Sequence, residues 1–178
     1  MKIDDTECRG VKLIHCFSSS DTRGSFTKIF NADAYGEMGI RAEIKETYYS
    51  VSDKNVIRGF HFQLPPYEHA KIVHVIHGKI TDVLLDLRKS SESYGKVFSF
   101  TLSEEDSTAL YIPIGIAHGF KAMEDNTLML YQVTSVYEKK SDTGILFNSV
   151  DFNWGIEDPI VSERDKSFVR FADFDSPF

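Results

Sequence analysis

Apolar and polar residues alternate, or apolar residues form short runs, along the first three quarters of the chain. In the run 71–77, Lys71, Val73 and Val75 share one parity, and the residues between them share the other. This period of two places the two sets on opposite faces of a β-strand. By the same criterion the sequence predicts strands over 11–17, 25–30, 42–50, 57–63, 71–77, 80–87, 97–102, 110–113, 119–123 and 128–134.

Turn-forming residues separate these strands, and helical patterns are sparse. Gly78 lies between two strands, where a tight hairpin would require it. A short helix is predicted at 31–38. The strand pattern ends near residue 150, and beyond it a second short helix is predicted to begin at Ser162. Regularly spaced short strands predict an all-β sandwich or barrel with a few short, mainly C-terminal helices. Residues 1–178 suit a single domain that buries ~70% of its unfolded surface.

The composition narrows the classes of partner. A net charge of −7 disfavours nucleic acid as the main partner, because binding to its backbone requires a basic surface. No apolar run is long enough to span a membrane. Cys8 and Cys16 follow no apolar signal segment, which predicts free thiols in a reducing compartment. We therefore expect a cytoplasmic protein that does not bind membranes.

Four residues on the predicted strands form a chemical set. His61, Lys71, His118 and Tyr131 supply a base, a cation, a second imidazole and a phenol. Each alone has an ordinary structural explanation, such as a hydrogen-bonded histidine or a buried tyrosine with a satisfied hydroxyl. Together they fill every role needed to remove a proton beside a carbonyl, stabilise the enolate and return a proton.

The chain resembles the dTDP-4-dehydrorhamnose 3,5-epimerase family from residue 21 to about residue 165. The matching segments are Arg58-Gly59-Phe60-His61-Phe62-Gln63, Lys71, residues 82–91, residues 112–120 and Ser162-Glu163-Arg164-Asp165. The resemblance implies a cupin-like jelly roll, usually a homodimer, that needs neither metal nor cofactor. It also implies epimerisation of a nucleotide-diphospho-4-keto-6-deoxyhexose in deoxysugar biosynthesis, such as that of lipopolysaccharide sugars.

The resemblance also assigns roles to individual residues. His61 matches the general base, Asp165 its carboxylate partner, Tyr131 the proton donor on the opposite face of the sugar, and Lys71 a group near the sugar carbonyl. The remaining matches are substrate-binding positions: Arg23, Lys28, Glu46, Tyr48, Arg58, His118, Tyr137, Asp142 and Arg164. Among these, Tyr137 matches the aromatic residue that stacks on the nucleotide base.

Several of these positions depart from the family pattern. Lys28 replaces an acidic nucleotide contact, Arg164 replaces a common lysine, and Glu46-Thr47-Tyr48 stands where the family often has Gln-Asp-Asn. The nucleotide therefore stays open among dTDP, CDP and GDP, and inversion at C3 alone stays open beside inversion at C3 and C5.

Two other classes of protein remain as alternatives. Metal-dependent cupin enzymes use several His ligands and a Glu, but here Gln63 stands where a second histidine is expected, and an amide oxygen is a poor ligand for a transition metal. A non-catalytic barrel that binds sugar nucleotides would not need both His61 and Tyr131. Both alternatives are disfavoured on these residues.

Overall fold

The computed structural model describes residues 1–40 and 43–178. Within them it contains thirteen strands and two short α-helices. The strands are β1 (Lys2–Asp5), β2 (Lys12–His15), β3 (Phe17–Asp21), β4 (Gly24–Lys28), β5 (Glu46–Ser52), β6 (Ile57–Gln63), β7 (Lys71–His77), β8 (Lys79–Asp86), β9 (Val97–Ser103), β10 (Thr108–Ile112), β11 (Ile116–Ala122), β12 (Thr127–Val133) and β13 (Asp142–Gly144); the helices are α1 (Ala32–Glu37) and α2 (Glu163–Lys166).

Two antiparallel sheets form the body of the protein. One has six strands in the order β1-β2-β10-β7-β12-β5, and the other has five in the order β13-β6-β11-β8-β9. Strands β3 and β4 form a separate two-stranded hairpin. The architecture is the cupin-like jelly roll predicted from the sequence, and the all-β class is confirmed.

Apolar side chains from both sheets pack together to form the main core. Val73 and Met129 from the six-stranded sheet belong to one buried cluster with Leu84 and Phe120 from the five-stranded sheet. The alternation along β7 explains this placement, because Lys71 and Val73 lie on the face opposite Ile72, which packs with Tyr35 of α1. Period-two patterning thus directs one face of β7 inwards and the other towards α1.

The C-terminal segment forms a second cluster with the five-stranded sheet. Phe60 packs beside Trp154, with ring centroids 5.8 Å apart, and Phe62 packs against Phe178 at 6.0 Å. Ser176 also donates a hydrogen bond to the carbonyl of Leu87. The last residues are therefore part of the packed structure, because their aromatic side chains contribute to this cluster.

Most predicted strands agree with the structure within two residues at each end, and β6 and β7 agree at both ends. The prediction of a hairpin at Gly78 is wrong: β7 pairs with β10 and β12, whereas β8 pairs with β9 and β11. Gly78, at φ +81°, carries the chain from one sheet to the other, and a Cβ there would lie 2.6 Å from Oγ1 of Thr127. Only glycine tolerates that conformation and that contact.

Other boundaries also differ. The predicted strand 11–17 is divided at Cys16, where the chain leaves the six-stranded sheet and starts the β3–β4 hairpin. The predicted strand 42–50 is β5, which ends at Ser52, and its predicted first residue, Ala42, lies outside the described residues. Strands β1 and β13, and β3 beyond Phe17, were not predicted from the sequence.

Candidate active site

A cavity of about 470 Å³ lies between the two sheets. Most of the predicted site residues line it: Glu46, Tyr48, Arg58, His61, Lys71, His118, Tyr131, Tyr137, Asp142 and Arg164. These residues come from both sheets and from the segments that follow β12. The cavity therefore joins, in one place, residues that are far apart in the sequence.

His61 and Asp165 form a hydrogen-bonded pair at the cavity. Nε2 of His61, on β6, lies 2.9 Å from Oδ1 of Asp165, within the hydrogen-bonding reach that the sequence predicts. Ser162 caps α2 by accepting the backbone N–H of Asp165, which fixes the start of the helix. Asp165 is buried in this helix. Its backbone N–H makes the cap with Ser162, and its side chain makes the contact with His61.

The backbone of Gly59 supplies the second contact of Asp165. Its N–H donates to Oδ2 at 3.0 Å, so both carboxylate oxygens are engaged. Gly59 has φ +124°, and a Cβ there would lie 2.4 Å from Cα of Gly119 on β11. A side chain at residue 59 would push β6 away from β11 and move His61 with it.

Burial and hydrogen bonding set the charges of His61 and Asp165. Burial lowers the pKa of His61 below its ordinary value of 6.5, and this outweighs the opposing effect of Asp165. Burial raises the pKa of Asp165, but the hydrogen bonds from His61 and from the N–H of Gly59 lower it by more. The pKa of Asp165 therefore lies below its ordinary value. At neutral pH the pair is a neutral imidazole beside a carboxylate, which is the state a general base requires.

Lys71 lies at the start of β7 and is buried rather than solvated. Its Nζ donates to the carbonyl of His61 at 3.0 Å. Burial lowers its pKa to about 8, against the opposing charges of Asp142 and Asp82. The ammonium is therefore held in a poorly hydrated place, where its charge acts strongly on a nearby oxygen.

His118 forms a second, more deeply buried pair with Asp82. Nε2 of His118 lies 2.7 Å from Oδ2 of Asp82, and the two residues lie on the neighbouring strands β11 and β8. The imidazole and the ring of Tyr131 lie edge to face, with a centroid distance of 6.2 Å and an interplanar angle of 64°. This pair fixes the orientation of His118 at the cavity wall.

Tyr131 lies on β12, in the sheet opposite His61. Its hydroxyl is 3.2 Å from Oγ of Ser50, and its ring stacks on Tyr48 at 4.9 Å with an interplanar angle of 18°. Burial raises the pKa of Tyr131 well above 10, so it carries its proton at neutral pH. A base on one sheet thus faces the same cavity as a phenol on the other.

Charged and aromatic residues surround the remaining part of the cavity. Arg164 pairs with Asp142 at 2.6 Å, and its guanidinium lies 5.1 Å from the centre of the Phe168 ring. Arg58 donates to Oγ of Ser52 at 3.0 Å, and the backbone N–H of Tyr137 donates to Glu46 at 2.9 Å. The Tyr137 ring itself is largely exposed and free to stack on a planar group.

Arg23 and Lys28 do not line the cavity of this chain. Both lie on the β3–β4 hairpin, where Arg23 forms an ion pair with Asp21 at 2.6 Å. Every residue of β3 and β4 is exposed. The single chain therefore brings together all of the predicted site residues except these two.

Sequence reasoning assigned no site role to Ser50 or His69, and used Gln63 only as part of a family motif and in weighing a metal site. All three line the cavity. Ser50 has the same parity as Tyr48 on β5 and could have been found from it. Among the residues that the structure describes, no group of three or more His, Cys, Asp or Glu side chains is placed to hold a metal ion.

In residues 1–40 and 43–178, which the structure describes, no helix is long and apolar enough to cross a membrane. This holds for α1 and α2, which have six and four residues.

The chain matches known proteins over nearly its whole length. Residues 5–173 match the family model described as dTDP-4-dehydrorhamnose 3,5-epimerase. The protein of that name from Shigella flexneri is 35% identical over 178 residues, covering 98% of each chain.

Solved structures agree with this match. The dTDP-4-dehydrorhamnose 3,5-epimerase from Sulfolobus tokodaii superposes with a TM-score of 0.91 at 33% identity, covering 99% of both chains. The dTDP-6-deoxy-D-glucose-3,5-epimerase from Legionella pneumophila, solved in complex with dTDP-4-keto-L-rhamnose, gives 0.92 at 29% identity, covering 98% of this chain and 94% of that one. The family model, the sequence relatives and the folds coincide, and the chain therefore belongs to the dTDP-4-dehydrorhamnose 3,5-epimerase family of isomerases.

Proposed function

We propose that this protein epimerises a nucleotide-diphospho-4-keto-6-deoxyhexose at C3, at C5 or at both. The observation that carries the proposal is the placement of His61 and Tyr131 on opposite sheets across one cavity. Inversion at carbon requires that a proton leave from one face of the sugar and return to the other. Two acid–base groups on facing walls supply that arrangement.

The tautomer of His61 identifies the basic atom. Asp165 is ionised and acceptor-only, so it takes the Nε2–H of His61. The lone pair then lies on Nδ1, which removes the proton from the carbon beside the ketone. Asp165 also stabilises the imidazolium that forms, because its negative charge is fixed at 2.9 Å.

Lys71 acts on the oxygen of the ketone. As the proton leaves carbon, the electron pair delocalises onto this oxygen, and the buried ammonium stabilises the enolate. Tyr131 then gives its proton to the carbon from the other face; the resulting phenolate is reprotonated from solvent, and the His61 imidazolium releases its proton to solvent. These steps use only side chains, so the proposal includes neither metal nor cofactor.

The nucleotide end of the substrate suits the charged and aromatic part of the cavity. Arg58 and Arg164 supply guanidinium groups for a diphosphate, and the exposed Tyr137 ring supplies a stacking surface for a base. The solved relative from Legionella pneumophila carries a dTDP-sugar. Lys28, Glu46 and Tyr48 depart from the family pattern, so the nucleotide stays open among dTDP, CDP and GDP.

We also propose that the protein forms a homodimer. The β3–β4 hairpin projects Phe17 and Phe26, which are 52% and 57% exposed, together with Arg23 and Lys28. Exposed aromatic side chains on a hairpin are suited to burial against a second copy. In such a dimer the hairpin of one chain supplies Arg23 and Lys28 to the nucleotide end of its partner's cavity. Sedimentation equilibrium should give twice the mass of one chain, and a monomer at micromolar concentration would contradict this.

We further propose that the enzyme works in the cytoplasm, on a sugar destined for a surface polysaccharide such as lipopolysaccharide. Cys8 and Cys16 are both free, which suits a reducing compartment. In the source cell, loss of the gene should deplete the epimerised sugar from surface polysaccharide. Unchanged sugar composition would contradict this assignment.

The proposed reaction is tested by NMR in deuterated water. Purified protein, kept in a metal chelator, is mixed with each nucleotide-linked 4-keto-6-deoxyhexose. Loss of the proton signal at C3 or C5, with a new stereoisomer, would support the proposal and would show which carbons invert and which nucleotide is accepted. Exchange that needs added metal would favour a metal-dependent cupin enzyme, and binding without exchange would favour a non-catalytic barrel.

The pH dependence of kcat/KM should be bell-shaped. His61 acts as a base only when unprotonated, so the rate should rise through its pKa, which lies below 6.5. Lys71 acts only when protonated, so the rate should fall as pH passes about 8. Solvent-exchange rates measured between about pH 5 and 10 check this. A rate that stays level well above pH 8 would remove the Lys71 charge from the mechanism.

A further inference from the structure

Ser50 lies beside the hydroxyl of Tyr131 at the cavity wall. In the register of β5 with β12, Ser50 is opposite Met129, two residues before Tyr131 on the same face. Oγ of Ser50 is 3.2 Å from the hydroxyl oxygen of Tyr131, and among the described residues it is the only hydrogen-bond partner of that hydroxyl. Ser50 is half-buried and lines the cavity itself. The serine and the phenol therefore form one hydrogen-bonded unit at the wall opposite His61.

The direction of this hydrogen bond decides where the proton of Tyr131 points. Either oxygen can be the donor. A phenol has one proton, and a phenol that donates it to Ser50 does not present it to the sugar. When Ser50 donates instead, the phenol O–H is free to point into the cavity. This second arrangement is also the one that survives proton transfer, because a phenolate can accept a hydrogen bond but cannot donate one.

The negative charge that proton transfer leaves on the phenol oxygen arises in a buried place. Burial raises the pKa of Tyr131 above its ordinary value of 10, and the charges of Tyr48 and Asp82 act in the same direction. The hydrogen bond from Ser50 and the charge of Arg58 act in the opposite direction. A hydrogen bond to an ionised oxygen is stronger than one to a neutral oxygen, so the contact with Ser50 favours the phenolate over the phenol.

We propose that Ser50 is a positioning residue for the return of the proton: its hydroxyl donates a hydrogen bond to the phenol oxygen of Tyr131, leaves the phenol proton facing the sugar carbon, and stabilises the phenolate that remains after transfer. The proposal rests on the function proposed above. Ser50 acts through Tyr131, whereas the first proton is removed by His61 on the opposite sheet. Loss of the Ser50 hydroxyl should therefore slow inversion and spare exchange.

The test compares Ser50→Ala with Ser50→Thr and with the wild-type protein. Alanine removes the donor and one oxygen atom, whereas threonine keeps the hydroxyl and suits a strand. By NMR in deuterated water, Ser50→Ala should lower the rate of inversion about 10- to 100-fold, the usual contribution of one hydrogen bond to an ionised oxygen, while exchange beside the ketone continues at the wild-type rate. Ser50→Thr should recover most of the inversion. The control is Ser99→Ala, which removes an exposed serine hydroxyl on β9 outside the cavity and should change neither rate.

The same substitution in a Tyr131→Phe background tests whether the two residues act together. Because the oxygen that Ser50 contacts is then absent, adding Ser50→Ala should change neither the exchange rate nor the residual inversion. A further loss of either rate would mean that Ser50 acts on the substrate directly and would overturn the inference.

Other results with Ser50→Ala alone would also overturn it. Equal losses of exchange and inversion would mean that Ser50 only supports the shape of the cavity, and unchanged inversion would mean that the hydrogen bond is idle. A loss that Ser50→Thr does not recover would mean that the missing hydroxyl is not the cause.

Calorimetric titration adds a readout that does not depend on turnover. The probe is dTDP, CDP or GDP, whichever the wild-type protein binds, and Ser50→Ala should bind it with wild-type affinity. Weaker binding would mean that Ser50 holds the diphosphate and would overturn the inference. Absence of exchange in the wild-type protein would instead defeat the proposed function itself, so the two failures are distinguishable.

Discussion

His61→Asn is expected to keep the fold and to lower the rate of solvent exchange beside the ketone by about 100-fold or more. Asparagine retains a hydrogen bond to Asp165 through its amide N–H, but its carbonyl has no useful basicity. The contacts of Asp165 with Gly59 N–H and with the start of α2 do not involve residue 61. The exchange rate of a substrate in deuterated water, followed by NMR, is the measurement.

The chain offers a matched control for this substitution. His15 is also paired with an aspartate, Asp4, at 2.8 Å, but this pair is partly exposed and lies outside the cavity. His15→Asn should therefore leave exchange unchanged, and both variants should retain the wild-type circular dichroism spectrum. If folded His61→Asn exchanges substrate at the wild-type rate, His61 is not the base.

The sequence predicts the strands that carry the chemistry better than it predicts the chain connections. β6 and β7 are recovered end to end because each has seven residues with buried positions and clear flanking turns. Parity then separates Lys71 from Ile72, and in the structure Lys71 lines the cavity while Ile72 packs with Tyr35 of α1 on the opposite face. The hairpin expected at Gly78 fails for a different reason: a single glycine can join two paired strands or two separate sheets, and local sequence does not distinguish these.

Local sequence patterns also fail to identify site residues that lie outside regular strands. His61 and Tyr131 lie on strands, where a position and a parity define a direction. His69 lies on the connection between β6 and β7, where no period exists, and neither its place at the cavity nor its contact with Gln63 follows from a local pattern. Such a residue is identified only from three-dimensional contacts. The position of the β3–β4 hairpin, which packs outside both sheets, is equally invisible to a local pattern.

The surroundings of Tyr131 suit a group that delivers a proton after the enolate has formed. Its high pKa keeps it protonated until a strongly basic carbanion is present. The stacked ring of Tyr48 and the hydrogen bond to Ser50 fix the direction of its hydroxyl. Removal of the first proton belongs to His61 on the other sheet, so the two steps are assigned to different walls of the cavity.

Tyr131→Phe should therefore separate exchange from inversion. The substitution removes one hydroxyl and keeps the ring, so stacking on Tyr48 and the packing of the core should change little. The mutant should still exchange substrate hydrogen through His61, but the label should return from the original face without inversion. Tyr49→Phe, an exposed neighbour on β5 that lies outside the cavity, is the control and should do both at wild-type rates. Equal large losses of exchange and inversion in Tyr131→Phe would mean that the phenol assists enolate formation, and unchanged inversion would leave Tyr131 as a core residue only. Because the two groups stand on facing sheets, preserved exchange with lost inversion is the expected result.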